Sequence, residues 1–201
     1  MKNFLKKRWP WLLALTALIA LLIFLLVRCD GQDTGLPTLT VETPQKLSKT
    51  KTTEFTLDVT ISNLGDALYP AMSMSIAFDA SRLEFIGVEE GNVFVYDTEN
   101  TTGQQLPEWS YDVASSNASG RINIMYLDLT GGKHAFSKNL LAEEDNVVLR
   151  LRFRLKGSVR TGDVMDLVVE DAVFAASDET LSLAMTRDTL RVRNGKLVIG
   201  E

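Results

Sequence analysis

The chain is poor in the residues that usually carry chemistry. It has one cysteine, Cys29, and one histidine, His134, in 201 residues. A lone cysteine cannot close an internal disulfide, so a cystine-stapled secreted scaffold is excluded. The same count excludes a Cys/His zinc site. A nucleophile–histidine–carboxylate arrangement would have to rest on His134. That residue sits in Gly131-Gly132-Lys133-His134 and reads as a solvated loop histidine. There is no Gly-rich phosphate loop and no calcium loop of alternating Asp and Asn. An excess of positive charge is lacking too. The net charge of −5, without a basic stripe, argues against a nucleic-acid partner. A glycosidase needs two carboxyl groups across the scissile bond. Glu108, Asp112 and Asp128 qualify by residue type alone, while Glu89-Glu90 and Glu143-Glu144-Asp145 read as solvated turns and a helix end. The expectation is a non-catalytic protein without cofactor or metal.

What is there begins with one long apolar run. Trp11 to Val27 is a 17-residue stretch, including Leu12, Leu22 and Phe24 and broken only by Thr16. At a helical rise of 1.5 Å per residue it covers about 26 Å, and with Trp9 and Pro10 it just crosses a hydrocarbon core of ~30 Å. Lys2, Lys6, Lys7 and Arg8 precede it, and only Arg28 follows, with Asp30 and Asp33 close by. The positive-inside rule then puts the N-terminus in the cytoplasm and the rest outside the cell membrane. Leu26-Val27-Arg28-Cys29 offers no small-residue cleavage site, and Arg28 stands where a lipoprotein has a small residue before its cysteine. A cleaved signal and a lipoprotein are therefore the lesser alternatives to an uncleaved single-pass anchor. The expected organisation is a basic cytoplasmic flank at 1–8, a transmembrane anchor at 9–28, a linker at 29–37 and a β-sandwich at 38–201.

Beyond Pro37 the hydrophobic pattern has period two. Phe55, Leu57, Val59 and Ile61 alternate with Thr56, Asp58, Thr60 and Ser62. Met72, Met74, Ile76 and Phe78 alternate with Ala71, Ser73, Ser75 and Ala77, and Ile122, Ile124 and Tyr126 with Asn123, Met125 and Leu127. Val147, Leu149, Leu151, Phe153 and Leu155 alternate with Val148, Arg150, Arg152, Arg154 and Lys156. Such alternation marks strands with one face in a core. Weaker strands are expected at 39–43, 83–89, 109–113, 167–175 and 196–199, and a short helix at 138–145. About nine strands without a long helix imply an all-β sandwich.

The outward residues differ between strands. Arg150, Arg152, Arg154 and Lys156 would meet Glu54 and Asp58 if their strands pair, giving cross-strand ion pairs or, less readily, an anionic-ligand patch. The outward residues Ala71, Ser73, Ser75, Ala77, Asn123, Met125 and Leu127 are instead all uncharged. A flat, charge-poor face with exposed Met and Leu suits a protein partner.

The chain at this point resembles the cohesin family. The resemblance runs from about Pro37 to Gly200. It is carried by Leu39-Thr40-Val41-Glu42 with Phe55 to Asn63, by Met74 to Phe85, and by Gly120 to Asp128. Leu151 to Lys156 with Thr161-Gly162, and the closing Asn194 to Ile199, complete it. Order and spacing carry the resemblance, rather than any one piece. It implies a nine-stranded jelly-roll sandwich and a non-catalytic module that binds dockerin modules of enzymes on one sheet face. In the family that face includes the strands matching Ala71–Asp79 and Ile122–Leu129. Where the family places a polar, often acidic, contact residue near the start of the first of these strands, this chain has Ser73.

The functional expectation is a membrane-anchored binding module holding a dockerin-bearing or similar extracellular protein, in polysaccharide degradation. The alternatives are a carbohydrate-binding module on a membrane stalk, with polysaccharide as partner, and a structural assembly protein using the same sandwich. Trp109 and Tyr111, on one side of an expected strand, would serve a sugar platform if exposed and a core if not. The sequons at Asn100 and Asn117 are read as chance.

Overall fold

The structure, a computed structural model, describes residues 35–201 apart from 45, 50–52, 65–66, 94–107, 133, 138–145, 178–183 and 187. The expected anchor and the expected helix at 138–145 lie outside the described residues. Among the described residues no helix is long and apolar enough to cross a membrane.

Alternating sequence becomes alternating burial. The elements run β1 (Thr38–Val41), β2 (Leu47–Ser48), β3 (Glu54–Ser62), β4 (Ala71–Ala77), β5 (Leu83–Glu90) and β6 (Glu108–Ser110). After α1 (Val113–Ser119) come β7 (Arg121–Leu127), β8 (Val147–Leu155), β9 (Val164–Ala175), β10 (Arg191–Arg193) and β11 (Gly195–Gly200). In β7 every second residue is buried and every other one exposed. β3, β4 and β8 bury Leu57, Val59, Ile61, Met72, Met74, Ile76, Leu149, Leu151 and Phe153 as expected. Eleven strands appear among the described residues where about nine were expected. The additional ones, β2 and β10, are two and three residues long, too short to show a period.

The strands form two sheets, β10-β1-β3-β8-β5 and β2-β11-β9-β4-β7-β6. Their inner faces share one core. Phe153 of β8 meets Phe78, at the end of β4, at 5.4 Å between ring centroids and Phe85 of β5 at 5.7 Å. Phe136 stacks edge-on against Phe174 of β9 at 5.5 Å.

On the outer face of the first sheet the expected pairing of β3 with β8 is present, with Glu54 opposite Arg154 and Asp58 opposite Arg150. Arg154 also reaches Glu84 of β5 at 3.0 Å, Arg152 reaches Glu89 at 3.3 Å, and Arg150 reaches Asp58 at 3.2 Å. The hydrogen bond from Arg154 and its charge hold the Glu54 carboxyl below the usual carboxylate range. Each guanidinium of the ladder therefore meets a carboxylate on a neighbouring strand, and the pairs sit in high dielectric where solvent screens them and each adds little to stability.

The strand expected over 109–113 is a correction. It ends at Ser110, and Asp112 instead caps a helix, its Oδ1 accepting from the Ser115 amide at 2.8 Å. Gly120, at φ 70°, closes that helix with its N–H on the Ser116 carbonyl. The helix packs against β5 and β7. Asn117 fixes it there: its Oδ1 accepts from Phe85 N–H at 2.8 Å, and its Nδ2 donates to Phe85 O at 2.8 Å. β5 is an edge strand, so one side chain satisfies backbone groups that the sheet leaves open. A side chain used in this way is not available to a glycan, in keeping with the reading of the Asn117 sequon as chance.

Candidate functional site

The outer face of the second sheet is built by strand register. Four strands lie side by side as β9, β4, β7 and β6. One row across them is Ala175, Ala71, Leu127 and Glu108; the next is Val173, Ser73, Met125 and Ser110. A third row is Asp171, Ser75 and Asn123, and a fourth is Val168, Ala77 and Arg121. The seven residues singled out from sequence are thus brought together on one face.

Their exposure follows from their neighbours. Met125 is 55% exposed and Leu127 44% exposed, because the residues beside them on β4 are Ser73 and Ala71, too small to cover them. Neither side chain is packed inside the protein. The inner row behind them is Phe174, Met72, Tyr126 and Trp109, which form the core. Ser75 donates to Asn123 Oδ1 at 2.8 Å, so these two polar side chains satisfy one another across the strands.

The face is less uniform than the seven residues suggest. β9 adds Asp171 and Val173 to it, and an ion pair of Arg121 with Glu170 closes the lower end. A cleft of about 570 Å³ runs beside Met125 and Asn123 toward α1, lined also by Tyr111, Asp112, Ser115 and Asp171. The contribution of β9 was not visible in the sequence, since alternation assigns faces within a strand but not which strands are neighbours. The face therefore has an apolar half around Met125, Leu127, Val173 and Ala71 and a polar half around Ser75, Asn123 and Asp171. It has no nucleophile–base pair, and among the described residues no cluster of His, Cys, Asp or Glu could hold a metal.

At the top of the face a loop is fixed by one carboxylate. Asp128 follows β7 and is 7% exposed. Its Oδ1 accepts from the amide and hydroxyl of Thr130, and its Oδ2 from the amides of Gly132 at 2.9 Å and His134 at 3.3 Å. Burial pushes the carboxyl up, but these hydrogen bonds outweigh it and hold it below its usual range. Asp128 is therefore a loop anchor rather than an acid catalyst. His134, expected to be a solvated loop residue, is a second correction: it lies in the loop but is 3% exposed, with Nδ1 2.9 Å from Thr130 Oγ1. The loop folds inward because the Asp128 carboxylate gathers its amides, and Tyr126 donates its hydroxyl to the His134 carbonyl at 2.6 Å.

The two aromatic candidates separate. Trp109 packs on Tyr126 at 4.8 Å and Phe136 at 6.5 Å between centroids and belongs to the core. Tyr111 lies past the end of β6, 36% exposed, with its ring edge-on to Phe85 at 5.9 Å. They do not form a shared flat platform. Of the carboxylates considered for catalysis, Asp112 caps α1 and Asp128 holds the loop, so both are committed to structure.

Known proteins bear the architecture out. The sixth cohesin of scaffoldin B from Acetivibrio cellulolyticus, solved in complex with a Cel5 dockerin mutant, is similar at a TM-score of 0.59 and 18% identity, over 81% of this chain and 98% of that one. The cohesin of the Coh-OlpA-Doc918 complex from Clostridium thermocellum is similar at 0.59 and 17% identity, over 82% and 99%. A cohesin module from a family 33 glycoside hydrolase of Clostridium perfringens is similar at 0.53 and 12% identity, over 83% and 98%. No curated protein sequence matches the chain. At these identities the solved structures speak for the fold. The sequence itself matches the family model of the cohesin domain over residues 40–190, which is most of its length, and the chain belongs to the cohesin family of non-catalytic modules.

Proposed function

We propose that this protein is a membrane-tethered cohesin that captures a dockerin-bearing extracellular protein on the outer face of β4 and β7, with the N-terminus in the cytoplasm. The observation that carries the reading is the exposure of Met125 and Leu127 between small neighbours on an ordered sheet. Apolar side chains held on a rigid, flat support lose little entropy on binding and bury area at roughly 25 cal/mol per Å². The solved cohesins that resemble this chain in complexes with dockerins lend support. The apolar run before the domain supports retention at the cell surface, where a captured enzyme would act on polysaccharide.

Ser73 stands where the resemblance implies a polar, often acidic, contact residue. Asp171, two positions along β9 from the Val173 that faces Ser73, places a carboxylate on the face. The partner's polar contacts are accordingly shifted toward β9.

The test is titration of the full chain in detergent with purified dockerin modules, beside a parallel incubation with insoluble cellulose. Saturable binding of at least one dockerin, with none to cellulose, is the expected result. Binding to cellulose alone would replace this reading with that of a carbohydrate-binding module.

A further inference from the structure

Sulfur is scarce in this chain, and the fold sorts it. Six methionines and one cysteine hold all of it, and the methionines other than Met1 lie in the described residues. All but one of these are sealed in the core. Met72 and Met74 of β4, Met165 of β9 and Met185, which bridges to Phe174, are each 2% exposed. Met125 is 55% exposed.

Register explains the contrast. Met72, Met74, Met165 and Met185 belong to the cluster of buried side chains between the sheets. Met125 faces outward between Ser73 on β4 and Ser110 on β6, whose side chains are too short to cover a thioether. It also lines the cleft of about 570 Å³ that opens toward α1, so a small solute reaches it from the side as well as from above. The charged groups lining that cleft are the carboxylates Asp112 and Asp171, which do not turn away a neutral oxidant.

A thioether reacts with a hydroperoxide without help from a metal. A sulfur lone pair attacks one peroxide oxygen and an S–O bond forms as the O–O bond breaks. The proton of the attacked oxygen passes to the departing one, which leaves as water or an alcohol. Sulfur is oxidised by two electrons and the peroxide is reduced by two. The product, methionine sulfoxide, is polar where the thioether was apolar, and sulfoxide reductases, one for each epimer, reverse the change.

We infer that Met125 is the first site at which a hydroperoxide modifies this domain, and that the sulfoxide formed there releases the partner. The first half stands on exposure alone; the second rests on the proposed docking face. In the free domain water solvates the sulfoxide oxygen, so the fold is unaffected. A partner closing over the face must strip that water from a polar group, which weakens the complex. The core methionines react only when the sandwich opens, so capture responds to oxidant at a dose the fold survives. A seated partner covers the sulfur, so occupied domains are protected.

The full chain in detergent is treated with hydrogen peroxide, which catalase removes before a purified dockerin module is added. Peptide mass mapping reads the sulfoxide at each methionine. Oxidation of Met125 is expected to run roughly tenfold or more faster than that of Met72, Met74, Met165 or Met185, with an unchanged urea midpoint. Capture is expected to weaken about tenfold and to recover after treatment with both sulfoxide reductases. Met125→Leu keeps the apolar bulk without the sulfur, and is expected to capture the dockerin equally before and after peroxide. If Met125 oxidises no faster than the core methionines, the modification site is wrong. If fully oxidised Met125 leaves the affinity unchanged, or if Met125→Leu loses capture to peroxide as the wild type does, the release is wrong and the docking face stands. If the untreated chain binds no dockerin, the docking reading fails and takes the release with it, while the mass map still decides the modification site.

Discussion

Met125→Glu is expected to abolish capture of the partner while leaving the domain folded. Met125 sits near the middle of the outer face, between Ser73 on β4 and Ser110 on β6. A partner that closes over this row must strip water from whatever stands at 125. A methionine contributes dispersion and apolar burial there, whereas a glutamate would be a desolvated charge with only hydroxyls beside it. Central, desolvated positions of this kind cost about 2 kcal/mol or more, which is roughly thirtyfold or more in Kd. At 55% exposure the same change costs the free domain no more than about 0.5 kcal/mol. Titration with a purified dockerin, with urea denaturation of the same sample, separates the two effects. Unchanged affinity with an unchanged unfolding midpoint would put the interface on another surface.

Asp128→Ala is expected to give the largest loss of stability among single polar substitutions in the described residues. The Asp128 carboxylate satisfies the amides of Thr130, Gly132 and His134 together with the Thr130 hydroxyl, in a loop that buries His134. Alanine leaves those donors without their acceptor in a partly closed space. Each orphaned donor costs about 1 kcal/mol or more, so a total of about 3 kcal/mol is expected in urea denaturation. The carboxyl's depressed pKa adds a pH signature. A carboxyl depressed in the fold contributes stability that is fully present above its unfolded pKa, about 3.9, and is lost as pH falls through the lower folded value. The wild-type domain is therefore expected to lose stability steeply below about pH 4, and Asp128→Asn to lack that component of the slope. Parallel slopes for the two proteins would show that the carboxylate's charge does not hold the loop. The consequence reaches the proposed docking face, because Leu127 precedes Asp128 at the end of β7.

The strands that were legible in sequence were those long enough to repeat. β3, β4, β7 and β8 run seven to nine residues, and their alternation gave both the strand and its buried face. The charges on β3 and β8 even indicated their pairing, since Glu54 and Asp58 complement Arg154 and Arg150. β2 and β10 escaped because they exist through parallel pairing with β11 and β1, not through a pattern of their own. The helix at Val113–Ser119 was hidden by its composition, with Val113, three serines and one asparagine favouring other conformations. Its signals were present all the same: Asp112 three residues before Ser115, and Gly120 at the end.

The candidate face was half legible. Uncharged outward residues on two strands marked it, but Asp171 and Val173 reach it from β9, and strand neighbours cannot be read from period two. The burial of His134 was not legible either. Its loop was announced by Gly131-Gly132, whereas the inward fold depends on a carboxylate six residues earlier accepting the His134 amide. Interactions of that kind follow from where the backbone goes and leave no period in the sequence.

The account rests on the outer face of β4 and β7 being the surface a partner covers. Amide hydrogen exchange of the full chain, with and without a saturating purified dockerin, reads this strand by strand. The account predicts added protection over 71–77, 121–127 and the β9 segment around Asp171, with the arginine ladder of β8 unchanged. Protection on β3, β8 or β5, with β4 and β7 unaltered, would contradict it.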